Sequence, residues 1–420
     1  MLSRRIFLKN GGLALVSLGF APAFLTRTAA AAQMAGGSRR KVLVAIFQRG
    51  ALDGLNMVVP FGEKAYYAAR PSIAIAQPGG PDTAIDLDGF FGLHPRMDAL
   101  QPLWRDRRLA IVHACGSPDS TRSHFDAQDY MESATPGVKS TQDGWLNRYL
   151  KARREQDETP FRAVALTSQL PRMLQGTAPA LAMTRIQQFG IQAGGGVAND
   201  HLPSSFEGEY AAAADQVLNR TGKEAFDAIR MLKSANPAQY QAANGADYPR
   251  SAFGDALRQV AQLIKADVGL EVAFAEVGGW DHHVNEGAAT GQIAARLEDF
   301  SRGLAALSMD LGDRLNDVIV LTMSEFGRAV VENGNRGTDH GHGNAMLVIG
   351  GDVHGGKVYG RWPGLEPEQR YDGRDLAVTT DFRDVFGEII VRHLGVKDPR
   401  PVFPGYAMSP AHFPGFLASS

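Results

Sequence analysis

The sequence predicts a three-layer α/β/α sandwich around a mostly parallel sheet with one antiparallel edge strand. Three observations lead there. Six apolar, β-branched runs are continuous rather than alternating, as in strands buried on both faces. Helical patterns lie between them, so strands and helices alternate along the chain. The segments after the runs gather glycine, acids, hydroxyls and imidazoles, and open α/β sheets bind ligands at the carboxyl ends of their strands.

The runs are KVLVAIF from Lys41, RLAIVHA from Arg108, FRAVALT from Phe161, LEVAFAEV from Leu270, DVIVLTM from Asp317 and AMLVIGG from Ala345. After the fourth run, Ile293, Leu297, Phe300, Leu304, Leu307 and Leu311 recur at steps of four and three, one apolar stripe on a helix. Phe382, Val385, Phe386, Ile389, Ile390 and Leu394 make a second stripe. Between about 194 and 254 the chain is rich in Ala, Asn and Gln with no strand pattern, and reads as a helical insertion. Residues 41–420 are read as a single domain carrying that insertion.

Residues 1–32 read as a twin-arginine signal peptide. Arg4-Arg5 precede a short, glycine-interrupted apolar run and an Ala-x-Ala-like stretch at Ala29 to Ala32. The run falls short of the ~20 residues a membrane span needs, so no stable membrane anchor is expected. The expected location is the periplasm, with the Tat translocon as a partner during export. Loss of Arg4, Arg5, Lys9 and Arg27 takes the net charge from −2 to −6, which offers no bulk attraction to nucleic acid. The single cysteine, Cys115, excludes an intrachain disulfide.

Four strand ends carry polar clusters: QRGALDGLN with Asp53, CGSPDSTRSHFDAQD with Arg122, Ser123 and His124, GGWDHH with Asp281 and His283, and SEFGR with Glu325. A fifth, GTDHGHG with Asp339, His340 and His342, precedes its strand instead of following it. If that strand runs antiparallel, its amino end shares the edge with the other carboxyl ends. A parallel strand would put it at the far edge. Asp281 and His283 are two apart, as are His340 and His342, so in extended backbone each pair points to one side. Carboxylates mixed with imidazoles suit Zn, Mn or Fe, while a carboxylate-heavier set leans to Mg. Asp53, Asp281, His283, Glu325, Asp339, His340 and His342 are therefore candidate ligands of one or more divalent ions, Zn, Mn or Mg. Asp53 reads equally as a turn residue in Asp-Gly. Glu325 is a ligand or a support for one, Asp339 ligates or orients an imidazole, and His282 faces the other way or supports a ligand. Ser123-His124-Phe125-Asp126 has the form of a capping box, so Ser123 is both a helix cap and a candidate nucleophile. His124 and Arg122 join it as candidate catalytic residues, Arg122 beside developing negative charge. His94, His113, His201, His393 and His412 stand alone and read as structural.

As a set, RGALDGLN, STRSHFDAQDYMES, GGWDHH, LTMSEFGR and GTDHGHGNAMLVIGG, spanning about Arg49 to Gly356, resemble a family of Tat-exported bacterial proteins defined by a domain of unknown function. That family in turn resembles the alkaline phosphatase and sulfatase superfamily. The second resemblance implies an alkaline-phosphatase-like fold and a metal-dependent hydrolase of a phosphate or related ester, with a small-molecule ester as substrate. It implies roles for Asp53, Ser123, Asp281 with His283, and His340 or His342. Where the superfamily has an Asp-His pair this chain has Glu325-Phe326, and Asp339 or the extra His of GTDHGHG is the expected replacement. The sulfatase Cys/Ser-x-Pro-x-Arg motif is missing. A non-catalytic metal-binding protein or pseudoenzyme is the alternative, and it predicts a closed site.

Overall fold

The computed structural model describes residues 39–153, 159, 161–186 and 240–418, with the backbone of two short paired strands, Arg5–Phe7 and Leu13–Val16. The rest of the expected leader and most of the expected insertion lie outside the described residues. All six apolar runs form strands: β1 (Val42–Arg49), β2 (Leu109–Gly116), β3 (Ala163–Ala165), β5 (Val272–Gly278), β6 (Val318–Met323) and β7 (Asn344–Gly350). Three further strands, β4 (Ala180–Met183), β8 (Lys357–Tyr359) and β9 (Thr380–Asp381), are too short to show a pattern in sequence.

The strand order is β4-β3-β5-β1-β6-β7-β2-β8, with β9 also on β2. Strands β4, β3, β5, β1 and β6 pair in parallel. β7 is antiparallel to both its neighbours, β6 and β2, so it lies inside the sheet and not at its edge as expected. The physical reason is the return of β2, which bonds to the free side of β7 and covers it. The orientation still does what the site requires: the start of β7 and the ends of β5, β1, β6 and β2 share one edge.

Continuous apolar strands follow from a core on each side. Val42, Val44 and Ile46 of β1 join a cluster with α3 (Ala252–Lys265) and α4 (Gln292–Leu311), whereas Leu43, Ala45 and Phe47 face α2 (Trp145–Ala152) and α5 (Phe382–Glu388). All six residues of the α4 stripe are buried. The α5 stripe is buried too, and it runs on into a π-helical turn, Ile389–His393. Trp145 stacks on Phe386 at 4.5 Å, binding α2 to α5. Residues 240–251, the described end of the expected insertion, are not helical, and α3 starts only at Ala252, capped by Ser251. No described helix is long and apolar enough to cross a membrane.

Candidate metal centre

The shared edge brings together three imidazoles and a carboxylate from loops far apart in sequence. His124 opens α1 (His124–Ser133), Asp281 and His283 follow β5, and His340 precedes β7. His340 Nε2 lies 3.0 Å from His124 Nε2, 3.0 Å from His283 Nε2 and 3.2 Å from Asp281 Oδ1. His283 Nε2 is 3.0 Å from Asp281 Oδ1, and His124 Nε2 is 3.5 Å from Asp281 Oδ2. The ligand atoms of His124, Asp281 and His340 all lie within 4.8 Å of one another.

The other ring nitrogen of each histidine is engaged. His124 Nδ1 donates to Glu325 Oε1 at 2.8 Å, His283 Nδ1 to Asp339 Oδ1 at 3.2 Å, and His340 Nδ1 to the Arg122 carbonyl at 2.9 Å. These bonds fix the proton on Nδ1 and leave the Nε2 lone pairs facing inward, the arrangement that orients imidazoles on a metal. A single lone pair can accept only one proton, yet His340 Nε2 meets two imidazoles and a carboxylate oxygen. A cation held by His124, Asp281 and His340, with His283 beside it, relieves that crowding. Donors around a tetrahedral ion with bonds of ~2.0–2.1 Å stand about 3.3 Å apart, close to the spacings among His124, Asp281 and His340, whereas His283 approaches His340 and Asp281 but is not part of that mutual group. Three imidazoles with one carboxylate fit Zn, Mn or Fe and move the balance away from Mg, which prefers oxygen.

Glu325 is fully buried and stands behind His124 instead of among the inward-facing donors. It accepts from His124, from Gly50 N at 2.9 Å and from Gln128 Nε2 at 2.9 Å, and Ser324 Oγ is 3.0 Å from its other oxygen. Burial pushes its carboxyl up, but these donors hold it below the usual range. The same bond to Glu325 raises the His124 imidazole, while burial lowers His340. Asp281 is held by Arg328, whose Nη2 is 2.6 Å from Oδ1. Against the opposing push of burial, that guanidinium brings the carboxyl down to about 2. Arg328 itself is buried and donates to the carbonyls of Gly50, Ala51, Trp280 and Thr338. One side chain thus ties together the loops after β1 and β5 and before β7.

Residues 40–383 match the family described as "Protein of unknown function (DUF1501)". The chain belongs to that family. The DUF1501 match spans every residue of the cluster, from His124 to His340. No curated protein matches the chain. Among solved structures, a protein in the alkaline phosphatase superfamily from Vibrio parahaemolyticus is similar at 11% identity and a TM-score of 0.32, over 75% of this chain and 61% of that one. The lipoteichoic acid synthase LtaP from Listeria monocytogenes is similar at 8% identity and a TM-score of 0.32, over 75% and 66%. The aligned region thus spans less than two thirds of either protein.

In this DUF1501 chain several expected ligands stand elsewhere. Asp53 is buried in an ion pair with Arg70 and caps the turn Gly54–Met57 through Leu55 N, so its oxygens are already engaged. Burial raises its carboxyl, but Arg70 overcomes this and keeps it low. Burial and the charge of Asp53 push neighbouring Glu286 well up instead. His342 stacks on Tyr371 at 4.4 Å, outside the cluster. Between His340 and His342, the Gly341 backbone packs on Arg328, where a Cβ would lie 2.3 Å from the Arg328 carbonyl carbon. His340 forms an antiparallel bridge with Arg328 and the chain bends at His342, so the extended alternation does not run across both imidazoles. Asp339 orients His283 and also accepts from Asn333 Nδ2 at 3.1 Å. Of the two replacements expected for Phe326, then, neither enters the cluster; the imidazole beside His340 is His124. Phe326 is buried and packs against both rings, 5.0 and 5.1 Å between centroids.

Among the expected catalytic residues, His124 sits inside the cluster as a ligand-type group. The Arg122 guanidinium is turned to Asp375, with Nε at 2.9 Å, and is not directed at the cluster; only its carbonyl serves the centre. Ser123 is exposed, and its Oγ caps α1 by accepting from Asp126 N at 3.5 Å. His282 is buried, and burial lowers its imidazole to about 4. His94, His113 and His393 bond to backbone carbonyls as structural histidines do. Sequence reasoning did not find Gln128, Asn333 or Asp375, because amides and acids in helices and loops carry no periodic signal.

Proposed function

We propose that this protein is a metal-dependent hydrolase of a phosphate or related ester, exported to the periplasm by the twin-arginine pathway. The observation that carries the reading is the inward convergence of three Nε2 lone pairs and the Asp281 carboxylate, each imidazole backed by an acceptor. A divalent ion bound there would polarise an ester oxygen and lower the pKa of a hydroxyl or water. The chain's own residues would hold His124, His283 and His340 in one tautomer through Glu325, Asp339 and the Arg122 carbonyl. Arg328 would keep Asp281 ionised at neutral pH. Ser123 Oγ, exposed next to His124 at the start of α1, is the protein's nucleophile in this reading, and the helix amino end would favour developing negative charge.

Openness favours catalysis over a purely structural ion. The side chains of Asp281 and His283 are 44% and 40% exposed, leaving a side from which a substrate can approach, whereas structural sites are closed. The test is hydrolysis of aryl phosphate, phosphodiester and sulfate substrates by protein loaded with zinc or manganese. Activity on a phosphate ester that chelation removes and metal restores is expected, with Ser123→Ala slower by at least ~100-fold. Inactivity on all three classes at full metal occupancy would overturn the reading. Export is tested by fractionating cells: the paired change Arg4→Lys and Arg5→Lys should hold the protein in the cytoplasm, and unchanged export would sink the twin-arginine assignment.

A further inference from the structure

The face of α1 that carries His124 carries two more polar residues, Gln128 and Glu132, each four positions further on and so aligned along the helix. One network ties that face to the end of the sheet. Arg49, the last residue of β1, donates from Nη1 to Gln128 Oε1 at 3.0 Å and to Glu132 Oε1 at 2.9 Å, and from Nε to Glu276 Oε2 at 2.6 Å. Gln128 donates in turn from Nε2 to Glu325 Oε1 at 2.9 Å, the same oxygen that holds His124 Nδ1 and Gly50 N. Arg49, Gln128, Glu325 and His124 thus form an unbroken chain from the sheet to the metal centre. Its middle link can run only one way. A guanidinium only donates and an ionised carboxylate only accepts, so a single orientation of the Gln128 amide satisfies both neighbours. Arg49 takes the amide oxygen and thereby aims the amide nitrogen at Glu325. Charge alone gives Arg49 no need of Gln128, since Glu132 and Glu276 already offer it two carboxylates.

Resting on the metal centre of the hydrolase reading, we propose that Arg49 is a positioning residue for that centre: through Gln128 and Glu325 it fixes the ring of His124 so that Nε2 faces the ion. Glu325 Oε1 takes three donors, and the loss of one leaves the carboxylate freer to turn and the imidazole behind it looser. Groups that orient a metal-bound histidine are typically worth 10–100-fold in metal affinity, and Arg49, which stands further back, belongs at about tenfold. Arg49 has a second, separate task, because Glu132 is buried and needs a charge beside it. Only the first task runs through Gln128, and that difference lets the two be measured apart.

The test is a double-mutant cycle on zinc affinity, read by competition with a chelating dye, in the full chain and its Arg49→Met, Gln128→Met and doubly substituted variants. Each single change is expected to weaken zinc binding by about tenfold. The double variant should lose no more than Gln128→Met alone, because effects routed through one residue do not add. Losses that multiply in the double variant, or a zinc affinity untouched by Arg49→Met, overturn the proposal and leave the hydrolase reading standing. Arg49→Met also strips Glu132 of its partner, so a second measurement uses Gln128→Met, which keeps both ion pairs of Arg49. In zinc-loaded protein carrying isotope-labelled histidine, the Nδ1 proton of His124, identified by its absence in His124→Ala, is expected to give a sharp magnetic-resonance signal in the wild type. That signal should be lost to exchange with water in Gln128→Met. An equally sharp signal in both proteins overturns the proposal, even where Arg49→Met fails to fold. A wild type that binds no zinc removes the metal centre itself, and the hydrolase reading falls together with this proposal.

Discussion

His340→Ala is expected to lower the affinity for zinc by more than ~100-fold, the largest binding effect of any single change in the centre. Its Nε2 is the atom that the other three donors share, at 3.0, 3.0 and 3.2 Å. Removing a group that only orients a metal-bound histidine typically costs 10–100-fold, so loss of this donor should cost more than Glu325→Gln, which belongs in that lower range. Competition with a chelating dye measures both. Metal-free stability should move the other way or not at all, because the substitution removes two imidazoles' crowding against a third and leaves the backbone contact with Arg328 in place. An unchanged zinc affinity in His340→Ala would dismiss the proposed centre. A large fall in the metal-free urea midpoint would recast His340 as a structural residue.

Arg328→Met is expected to destabilise the fold by about 3–5 kcal/mol, because buried acceptors left without a donor cost ~1–3 kcal/mol each. Its guanidinium satisfies four backbone carbonyls as well as Asp281, and each buried acceptor left without a donor adds to the cost. Arg400→Met is the control, since Arg400 and its partner Asp398 are both exposed and the change should cost much less. Urea midpoints at neutral pH decide between them. If Arg328→Met unfolds at the same midpoint as wild type with the same slope, Arg328 does not hold the loops together. Zinc at a hundredfold excess over its dissociation constant would restore about 2.7 kcal/mol to any variant that still binds it.

How far the sequence could be read follows from what its residues do physically. The six strands were legible because both faces of the sheet are buried, which forces uninterrupted apolar runs. The direction of β7 was inferable from the need to place GTDHGHG at the site, but its interior position was not, because it depends on where β2 returns. The Asp281 and His283 pair was legible and the His340 and His342 pair misled, since the chain bends at His342. Asp53 misled for a different reason. Its partner Arg70 lies on a segment whose sequence gives no sign that a buried guanidinium will meet it. His124 was visible as a polar residue at a helix start, but only the fold shows that it reaches an imidazole 216 positions away.

That separation bears on how the molecule comes to exist. Contacts such as His124 to His340 and His124 to Glu325, 201 positions apart, close very long loops, and loop closure of this kind comes at a conformational cost that folding meets late. The sheet must therefore be assembled before the four donors can meet, and an ion arriving earlier finds no site. Metal should then leave the refolding rate nearly untouched and act on unfolding alone, lengthening the lifetime of the finished protein.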